Sequence, residues 1–282
     1  MKRLRLFFFL LLWFPPFLFA QTGAGEKSVV WSISGKGIPE GSVLFGTMHL
    51  SLSEQAAVPS KVWGALKGSR TLVTEASLDM SLRQQIAIAQ QLSLPRGQNL
   101  RQFMSDSAFA RLCTYAYDSL HLRRRKLKRY MRLKPVLFSS ALVRARFKTL
   151  FVPEEMLFRE AKRRGLPNLG LERFEDQIRV IDSIPLFQQV KALEGKWNIY
   201  GDYLELTALY RLADVDSMAS LSKSEEGGEM LLDHRNSKWL IKLPELLAAG
   251  PILVAVGAAH LGGPQGLVIG LRRLGYEVKP LP

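Results

Sequence analysis

The chain has 282 residues, 47% of them hydrophobic and 23% charged, and its formal net charge at pH 7 is +14. This is an ordinary globular composition that supports a substantial core, as one large domain or two small ones. Cys113 is the only cysteine, so the chain can form neither an internal disulfide nor a thiolate metal cluster. Its helical surroundings predict a small, buried, apolar role for this side chain.

The first 20 residues have the layout of a secretory signal peptide. Basic residues precede an apolar run over residues 6–19, and Ala20 is a small residue at a plausible cleavage point. The run is short for a membrane span and is interrupted by two prolines. We therefore expect an exported protein, periplasmic or secreted, with one domain over residues 21–282. An uncleaved N-terminal membrane anchor is the alternative.

Short strands and helices follow in the first half of the chain. Alternating apolar residues predict a strand over 29–33, residues 43–45 predict a second, and the turn residues between them predict a hairpin. Helical spacing over 53–67 precedes a third short strand at 72–74. From residue 78 to residue 164 the spacing is mostly helical, which predicts a helical insertion or cap.

The second half continues the alternation of strands and helices. We expect a strand at 166–171, helices at 174–184 and 186–212, a polar loop at 217–228, a helix at 230–248 broken near Pro244, a strand at 252–256, a helix at 265–274 and a last strand at 276–278. Strands near both ends with helices between them predict a mixed α/β (α+β) fold, with a short-stranded central sheet, surrounding helices and a mostly helical insertion.

Two segments share one pattern: an apolar strand, a glycine, two small or apolar residues, a histidine and a leucine. They are Val43-Leu44-Phe45-Gly46-Thr47-Met48-His49-Leu50 and Val254-Ala255-Val256-Gly257-Ala258-Ala259-His260-Leu261. A single G-x-x-H is a weak pattern, but both histidines are expected just past a strand's carboxyl end, where sites form in α/β sheets. The repetition therefore predicts that His49 and His260 share one functional site.

Two glutamates occupy similar positions, since Glu75 and Glu172 each end a predicted strand. Imidazole and carboxylate groups are the ligands of a hydrolytic divalent ion, and they also suit metal-free acid–base chemistry. Either chemistry could use His49, His260, Glu75 and Glu172. Zn, Mn and Co all remain open. Other catalytic signatures, such as G-x-S-x-G or H-E-x-x-H, are absent from the sequence.

A strongly basic stretch runs from Arg123 to Lys134. Such a stretch could bind nucleic acid, anionic lipid or acidic polysaccharide. An exported protein meets little nucleic acid, and only Tyr130 accompanies the basic residues as a stacking group, so we expect no nucleic-acid partner. The preferred interpretation is a solvated helix face, and contact with an anionic surface is the alternative. Neither His121, beside this stretch, nor His234, on a predicted helix, is assigned a role.

These motifs resemble the TraB/GumN family, and the resemblance covers nearly the whole mature chain in order. It rests on Trp31 to Gly35, Leu44 to Leu50, Glu75, Lys134-Pro135, Gly170-Leu171-Glu172, Gln177, Arg235-Asn236, Trp239, Val256 to Leu261, Gly266-Leu267 and Leu274 to Val278. The family is related to the animal Tiki proteins, which are metal-dependent peptidases with paired G-x-x-H motifs and a glutamate. It is more distantly similar to erythromycin-esterase-like and haem-binding ChaN-like proteins.

The resemblance implies an exported metal-dependent hydrolase, with a peptidase as the leading expectation and a peptide or small molecule as the substrate. His49, Glu75 and His260 match the family's site residues by position, and the resemblance implies that they hold the divalent ion, with Glu172 as a further ligand or a base. Arg235 and Asn236 match a polar pair expected nearby. In this reading Arg235 stabilises a developing oxyanion, while Asn236 orients the substrate or a water molecule.

One position departs from the family pattern. Where relatives often carry an aspartate before the helix that leads to Gly165, this chain has Glu154 as the counterpart, a carboxylate with a different reach. Two other functions stay open. The same pocket could sequester a peptide or a cofactor without catalysis, or the histidines and glutamates could form a metal-free, esterase-like site.

Overall fold

A computed structural model describes residues 26–147, 149–194, 199–224 and 228–282 of the chain. The expected signal peptide, residues 1–20, lies outside the described residues. The mixed α/β fold is confirmed: helices surround a central sheet of mixed strand direction. None of the described helices is long and apolar enough to cross a membrane.

The described part of the chain forms one six-stranded sheet. Its strands are β1 (Val30–Ser34), β2 (Ser42–Thr47), β3 (Thr71–Ala76), β4 (Asn168–Glu172), β5 (Ile252–Gly257) and β6 (Glu277–Pro280). Their spatial order is β4-β3-β5-β2-β1-β6. The strands β4, β3, β5 and β2 are mutually parallel, whereas β1 pairs antiparallel with both β2 and β6. The predicted hairpin is the β1–β2 pair.

The helices are α1 (Glu54–Ala57), α2 (Ser60–Gly68), α3 (Leu82–Gln91), α4 (Asp106–Thr114), α5 (Arg124–Tyr130), α6 (Pro135–Arg146), α7 (Pro153–Arg163), α8 (Phe174–Ser183), α9 (Leu186–Glu194), α10 (Ile199–Arg211), α11 (Val215–Ser224), α12 (Gly228–Ala248) and α13 (Leu267–Arg273). A five-residue π-helix, Tyr115–Ser119, directly follows α4, and a short 3-10 helix, Ala258–His260, follows β5. Five of the helices, α3 to α7, lie between β3 and β4 in the chain.

The core has three apolar clusters. Successive residues of β2 and β5 point to opposite faces of the sheet, so both faces are buried. One face packs on α10 to α13, and the other packs on α2 and α7. The third cluster is helical, with residues from α4, α5, α6 and α9, and Cys113 is partly buried against it.

The predicted loop at 217–228 is wrong, because residues Val215–Ser224 form α11. The apolar residues Val215, Met218 and Ala219 have helical spacing and are buried beneath the rest of this polar segment. The side chain of Asp214 accepts a hydrogen bond from the Ser217 backbone amide at 3.0 Å, which caps the start of the helix. Polar composition therefore concealed a short amphipathic helix.

The predicted break near Pro244 is also wrong, because α12 continues to Ala248 with this proline inside it. Proline removes one helical hydrogen bond. The flanking side chains of Trp239, Leu243 and Leu247 are fully buried in the core. Their packing holds the helix together through the proline, and this continuity matters because α12 also carries Arg235 and Asn236.

The basic stretch from Arg123 to Lys134 comprises α5 and its flanks, and Arg123, Arg124 and Arg125 are exposed. Replacing these three arginines by glutamine should change the free energy of unfolding by less than about 0.5 kcal/mol, because substitutions on a solvated surface are nearly neutral. Any divalent ion that the purified protein contains should also be retained. Chemical denaturation and elemental analysis would measure the two effects.

The matched control lies on the same helix. Leu127→Ala removes a buried side chain and should cost about 2–5 kcal/mol. If the triple glutamine variant were as unstable as this control, or lost metal, the arginines would be structural rather than solvated.

Candidate histidine–carboxylate site

The two G-x-x-H motifs follow neighbouring parallel strands. In the register of β2 and β5, Gly46 pairs with Val256 and Thr47 pairs with Gly257. Both histidines therefore emerge at the same carboxyl edge of the sheet. Glu75 and Glu172 lie at the ends of β3 and β4, which continue the same parallel set. The topology thus gathers all four predicted side chains on one edge, where α/β sheets bind ligands.

Each glycine of the motifs makes room for the other motif. A Cβ atom on Gly46 would lie 2.9 Å from the Ala258 Cα atom. A Cβ atom on Gly257 would lie 2.9 Å from His49 Nε2 and 3.4 Å from Glu75 Oε1. Only glycine fits such contacts without a shift of its neighbours. The repeated glycine is therefore explained by the close approach of the two motifs.

His49 is held from behind by a carboxylate at the start of α7. Its Nδ1 atom lies 2.7 Å from Glu154 Oε1, which also accepts a 2.5 Å hydrogen bond from the Thr47 hydroxyl. An Nδ1–H group that donates to this carboxylate leaves Nε2 directed at Glu75 Oε1, 3.8 Å away. The side chain of His49 is 62% exposed, so it lies at the mouth of the site.

His260 is buried, and its tautomer follows from its neighbours. The Asn236 side chain donates through Nδ2 to the His260 and Gln265 carbonyl oxygens, so its Oδ1 is the atom 2.7 Å from His260 Nδ1. His260 Nδ1 must then donate. On the other side of the ring, Arg235 Nη1 lies 3.3 Å from Nε2, and a guanidinium can only donate. His260 is therefore neutral, with the Nε2 lone pair facing the site.

Glu75 is the centre of the arrangement. Its Oε1 atom accepts a 2.9 Å hydrogen bond from the Gly257 backbone amide and lies 3.8 Å from the Nε2 atoms of both His49 and His260. Its Oε2 atom accepts a 2.5 Å hydrogen bond from Arg235 Nη2. One carboxylate thus connects both histidines to the guanidinium.

Arg235 lies between two carboxylates. Besides its bond to Glu75, it donates to Glu172 Oε1 through Nε at 2.8 Å and through Nη2 at 2.5 Å. Gln177, on α8, also donates to Glu172 Oε1 at 3.0 Å. The indole of Trp239 packs against both the Arg235 guanidinium and the His260 imidazole. Its ring centre lies 4.7 Å from the guanidinium carbon and 4.4 Å from the His260 ring centre.

The charges of these groups shift their proton affinities in opposite directions. The Glu154 carboxylate, supported by Glu75, raises the pKa of His49 to about 9. Burial, reinforced by Arg235 and His49, lowers the pKa of His260 to about 3. Burial alone would raise the pKa of Glu75, but the nearby His260, Arg235 and His49 together hold it far below its usual range. Glu75 is therefore an anion in a largely buried site.

The donor set can be compared with the needs of a divalent ion. Two imidazoles whose Nδ1 atoms are already bonded, and a carboxylate facing both Nε2 atoms, fit such an ion in donor type. An ion would have to displace the proton that the raised pKa keeps on His49 and the hydrogen bond from Arg235 to His260 Nε2. Among the described residues, no group of three His, Cys, Asp or Glu side chains already converges at metal-binding geometry. Instead, Arg235 donates a hydrogen bond to Glu75 Oε2, the oxygen that does not face the histidines.

The structure thus brings together all the residues singled out from the sequence: His49, Glu75, Glu154, Glu172, Arg235, Asn236 and His260. Two of them have partners that the sequence did not indicate. The described polar contacts of Glu172 are with Arg235 and Gln177, and Asn236 bonds His260 and the backbone behind it. His121 and His234 are exposed outside the site.

Helix α10 lies within the predicted helix over 186–212, but sequence reasoning missed that one face of it supports the first motif. Its contacts are Tyr203 hydroxyl to Leu50 carbonyl at 3.1 Å, Thr207 hydroxyl to Met48 sulfur at 3.8 Å and Tyr210 hydroxyl to Gly46 carbonyl at 3.0 Å. The helical spacing of these three residues could have indicated a face with polar tips. The spacing of these residues along α10 does not indicate that they contact the first G-x-x-H motif.

The Tyr210 hydroxyl should contribute measurably to stability. Tyr210→Phe leaves a buried Gly46 carbonyl without its donor, so we expect a loss of about 1–3 kcal/mol in the free energy of unfolding. Denaturant titration would measure it. Tyr200→Phe, on the exposed part of the same helix, is the control and should be nearly neutral. Equal effects of the two substitutions would contradict a specific role for the Tyr210 hydrogen bond.

The fold and the site define a class: an α/β protein with a histidine–carboxylate cluster at the carboxyl edge of its parallel strands. The model of the TraB/PrgY/gumN family matches residues 29–280 of the chain. The protein therefore belongs to the TraB/PrgY/gumN family, and the resemblance drawn from its motifs is confirmed. No curated protein and no solved structure matches the chain significantly.

Proposed function

We propose that this protein is an exported hydrolase that uses a divalent metal ion to cleave peptides. His49, His260 and Glu75 would hold the ion. The observation that carries the proposal is the arrangement of the two imidazoles. Each has its Nδ1 atom bonded by a partner behind it, and each directs Nε2 at the same oxygen of Glu75 from 3.8 Å. Metal-binding histidines are oriented in this way by their outer hydrogen bonds.

The metal ion would supply Lewis-acid chemistry, lowering the pKa of a bound water molecule and polarising a scissile carbonyl. Zn, Mn and Co all suit this mixture of imidazole and carboxylate donors. Side chains of the protein would position the ligands and the substrate. Glu154 and Asn236 act as positioning residues that fix the two histidine rings.

Arg235 would stabilise negative charge that develops on the substrate, because its guanidinium lies beside both His260 and Glu75. Glu172 and Gln177 would hold that guanidinium in place. Because His49 is exposed and His260 is buried, a substrate would enter from the His49 side of the site.

A metal-free hydrolase is the second candidate, and one observation favours it. Glu75 Oε2 is already bound to Arg235, and among the described residues the possible ligands do not yet converge. In that case His49 would transfer protons, with the Glu75 anion facing its Nε2 atom. A protein that binds a peptide without cleaving it would have the same groups but no turnover.

Metal content and turnover separate these candidates. We expect the purified protein to contain a stoichiometric divalent metal, to cleave an unstructured protein such as casein, and to lose that activity on chelation. Activity should return when the metal is restored. His49→Ala should abolish both metal binding and cleavage, whereas His234→Ala, at an exposed histidine, should change neither.

Each other outcome identifies a different candidate. Cleavage that survives chelation would support the metal-free site and overturn the role of the metal ion. Stoichiometric metal without cleavage of any peptide would support a binding protein and overturn the hydrolase.

A further inference from the structure

A groove separate from the candidate site lies between α3, the segment that follows it and the junction of α8 with α9. Its volume is about 790 Å³. This volume is far larger than one small anion and lies within the range of ligand-binding pockets, roughly 300–1,000 Å³. We call it the α3–α8 groove, and its walls include Ile86, Leu94, Arg96, Arg132, Lys134, Asp182 and Leu186.

The charged residues of the α3–α8 groove are mostly basic. Lys134 Nζ pairs with Asp182 Oδ1 at 2.5 Å, which neutralises one cation. Arg96 and Arg132 are exposed, and within the described ranges neither guanidinium forms an ion pair with a carboxylate. Two free guanidiniums at one groove favour a ligand with carboxylate or phosphate groups, which arginine binds through paired hydrogen bonds.

The uncharged residues narrow the chemistry of the ligand. The side chains of Ile86 and Leu186 offer aliphatic surface, and Gln90 adds an exposed amide group to the wall. The amide nitrogen of Gln189 already donates to the Ile181 and Ile184 carbonyl oxygens. Aliphatic contacts suit apolar side chains, and amide side chains can bond a peptide backbone. A polysaccharide would leave the aliphatic surface unused, and a membrane surface does not enter a concave groove. The combination favours a peptide that carries both acidic and apolar residues.

We propose that the α3–α8 groove binds an acidic peptide segment. The groove is connected to the candidate site through α8. Gln177, which contacts Glu172 and Glu75, and Asp182, which lines the groove, lie on this helix. A separation of five residues along an α-helix corresponds to about 7.5 Å. The proposal goes beyond the proposed function, since binding at the groove requires neither metal nor hydrolysis.

The test measures peptide binding directly. The probe is a short fluorescein-labelled peptide that alternates glutamate with leucine, and its matched control has glutamine in place of glutamate. Fluorescence anisotropy is recorded with the full-length mature protein and with its His49→Ala variant, both freed of metal. We expect the acidic peptide to bind both proteins equally and about tenfold more tightly than the glutamine peptide, as two surface ion pairs would allow.

Two double variants with the same change in charge locate the binding site. Arg96→Gln with Arg132→Gln should weaken binding of the acidic peptide by about five- to tenfold. Arg123→Gln with Arg124→Gln removes two exposed arginines that do not line the groove, and it should change binding by less than about twofold, apart from a general salt-dependent effect. Circular dichroism would show that both variants are folded.

Three results would overturn the proposal. Equal weakening in the two double variants would mean that the overall positive charge binds the peptide. Equal affinity for the acidic and the glutamine peptide would mean that the guanidiniums are not used. Vesicles of phosphatidylglycerol that bind through Arg96 and Arg132, while the peptide does not bind, would identify a membrane contact instead. Failure of the hydrolase alone leaves this test unaffected, because metal and turnover are absent from it.

Discussion

Replacement of Arg235 by methionine should lower the free energy of unfolding by about 3–5 kcal/mol, because removing one partner from a buried ion-pair network leaves charges unpaired. Here the unpaired charges are Glu75 and Glu172, whose side chains are only 14% and 8% exposed. Methionine keeps much of the packing against Trp239, so the loss reports mainly on charge. Denaturant unfolding of the metal-free protein at neutral pH would measure it.

The pH dependence gives this prediction a second test. In the native protein the pKa of Glu75 is lower than its usual value of 4.5, so this group stabilises the fold above that pH and the contribution fades as the pH falls. The difference in stability between the native protein and Arg235→Met should therefore be fully present above about pH 4.5 and shrink as the pH falls below that value. Arg273→Met, at an exposed arginine, is the control and should be nearly neutral. A difference that stays constant from neutral pH to well below pH 4.5 would contradict the electrostatic explanation.

His49→Ala and His260→Ala should each remove nearly all of the stabilisation that a bound metal ion provides. At a free metal concentration about 100-fold above Kd, a ligand that binds only the folded state contributes about 2.7 kcal/mol. If both imidazoles bind one ion, either substitution abolishes that contribution, and the double variant loses nothing further. Unfolding is measured with and without metal, and the difference between the two conditions is compared among the three variants.

The comparison must use the difference between unfolding with and without metal, not the stability alone. His260 is buried and bonded to Asn236, so its replacement lowers the free energy of unfolding even when no metal is present. His234→Ala is the matched control and should retain the full metal-dependent stabilisation. If either single variant of the pair also retained it, the two histidines could not share an ion, and the metal-dependent hydrolase would lose its main support.

Several features were accessible from the sequence because they depend on local periodicity. Continuous apolar runs such as those of β2 and β5 are required by strands buried on both faces, so strands and their ends could be predicted. The repeated G-x-x-H and the glutamates at strand ends then indicated four candidate site residues, His49, His260, Glu75 and Glu172. Local periodicity failed for α11, whose apolar face is short, and for α12, where buried neighbours hold the helix together through Pro244.

Only the tertiary structure decided how these residues are used. The order β4-β3-β5-β2 places the two histidines on adjacent parallel strands, and no local pattern encodes that pairing. The tautomer of His260 follows from Asn236 and Arg235, both contributed by a distant helix. The tyrosines of α10 contact the first motif from about 160 residues away in the chain. The sequence alone thus determines which chemical groups reach the sheet edge, whereas their partners depend on long-range packing, because hydrogen bonds and charges act between neighbours in space.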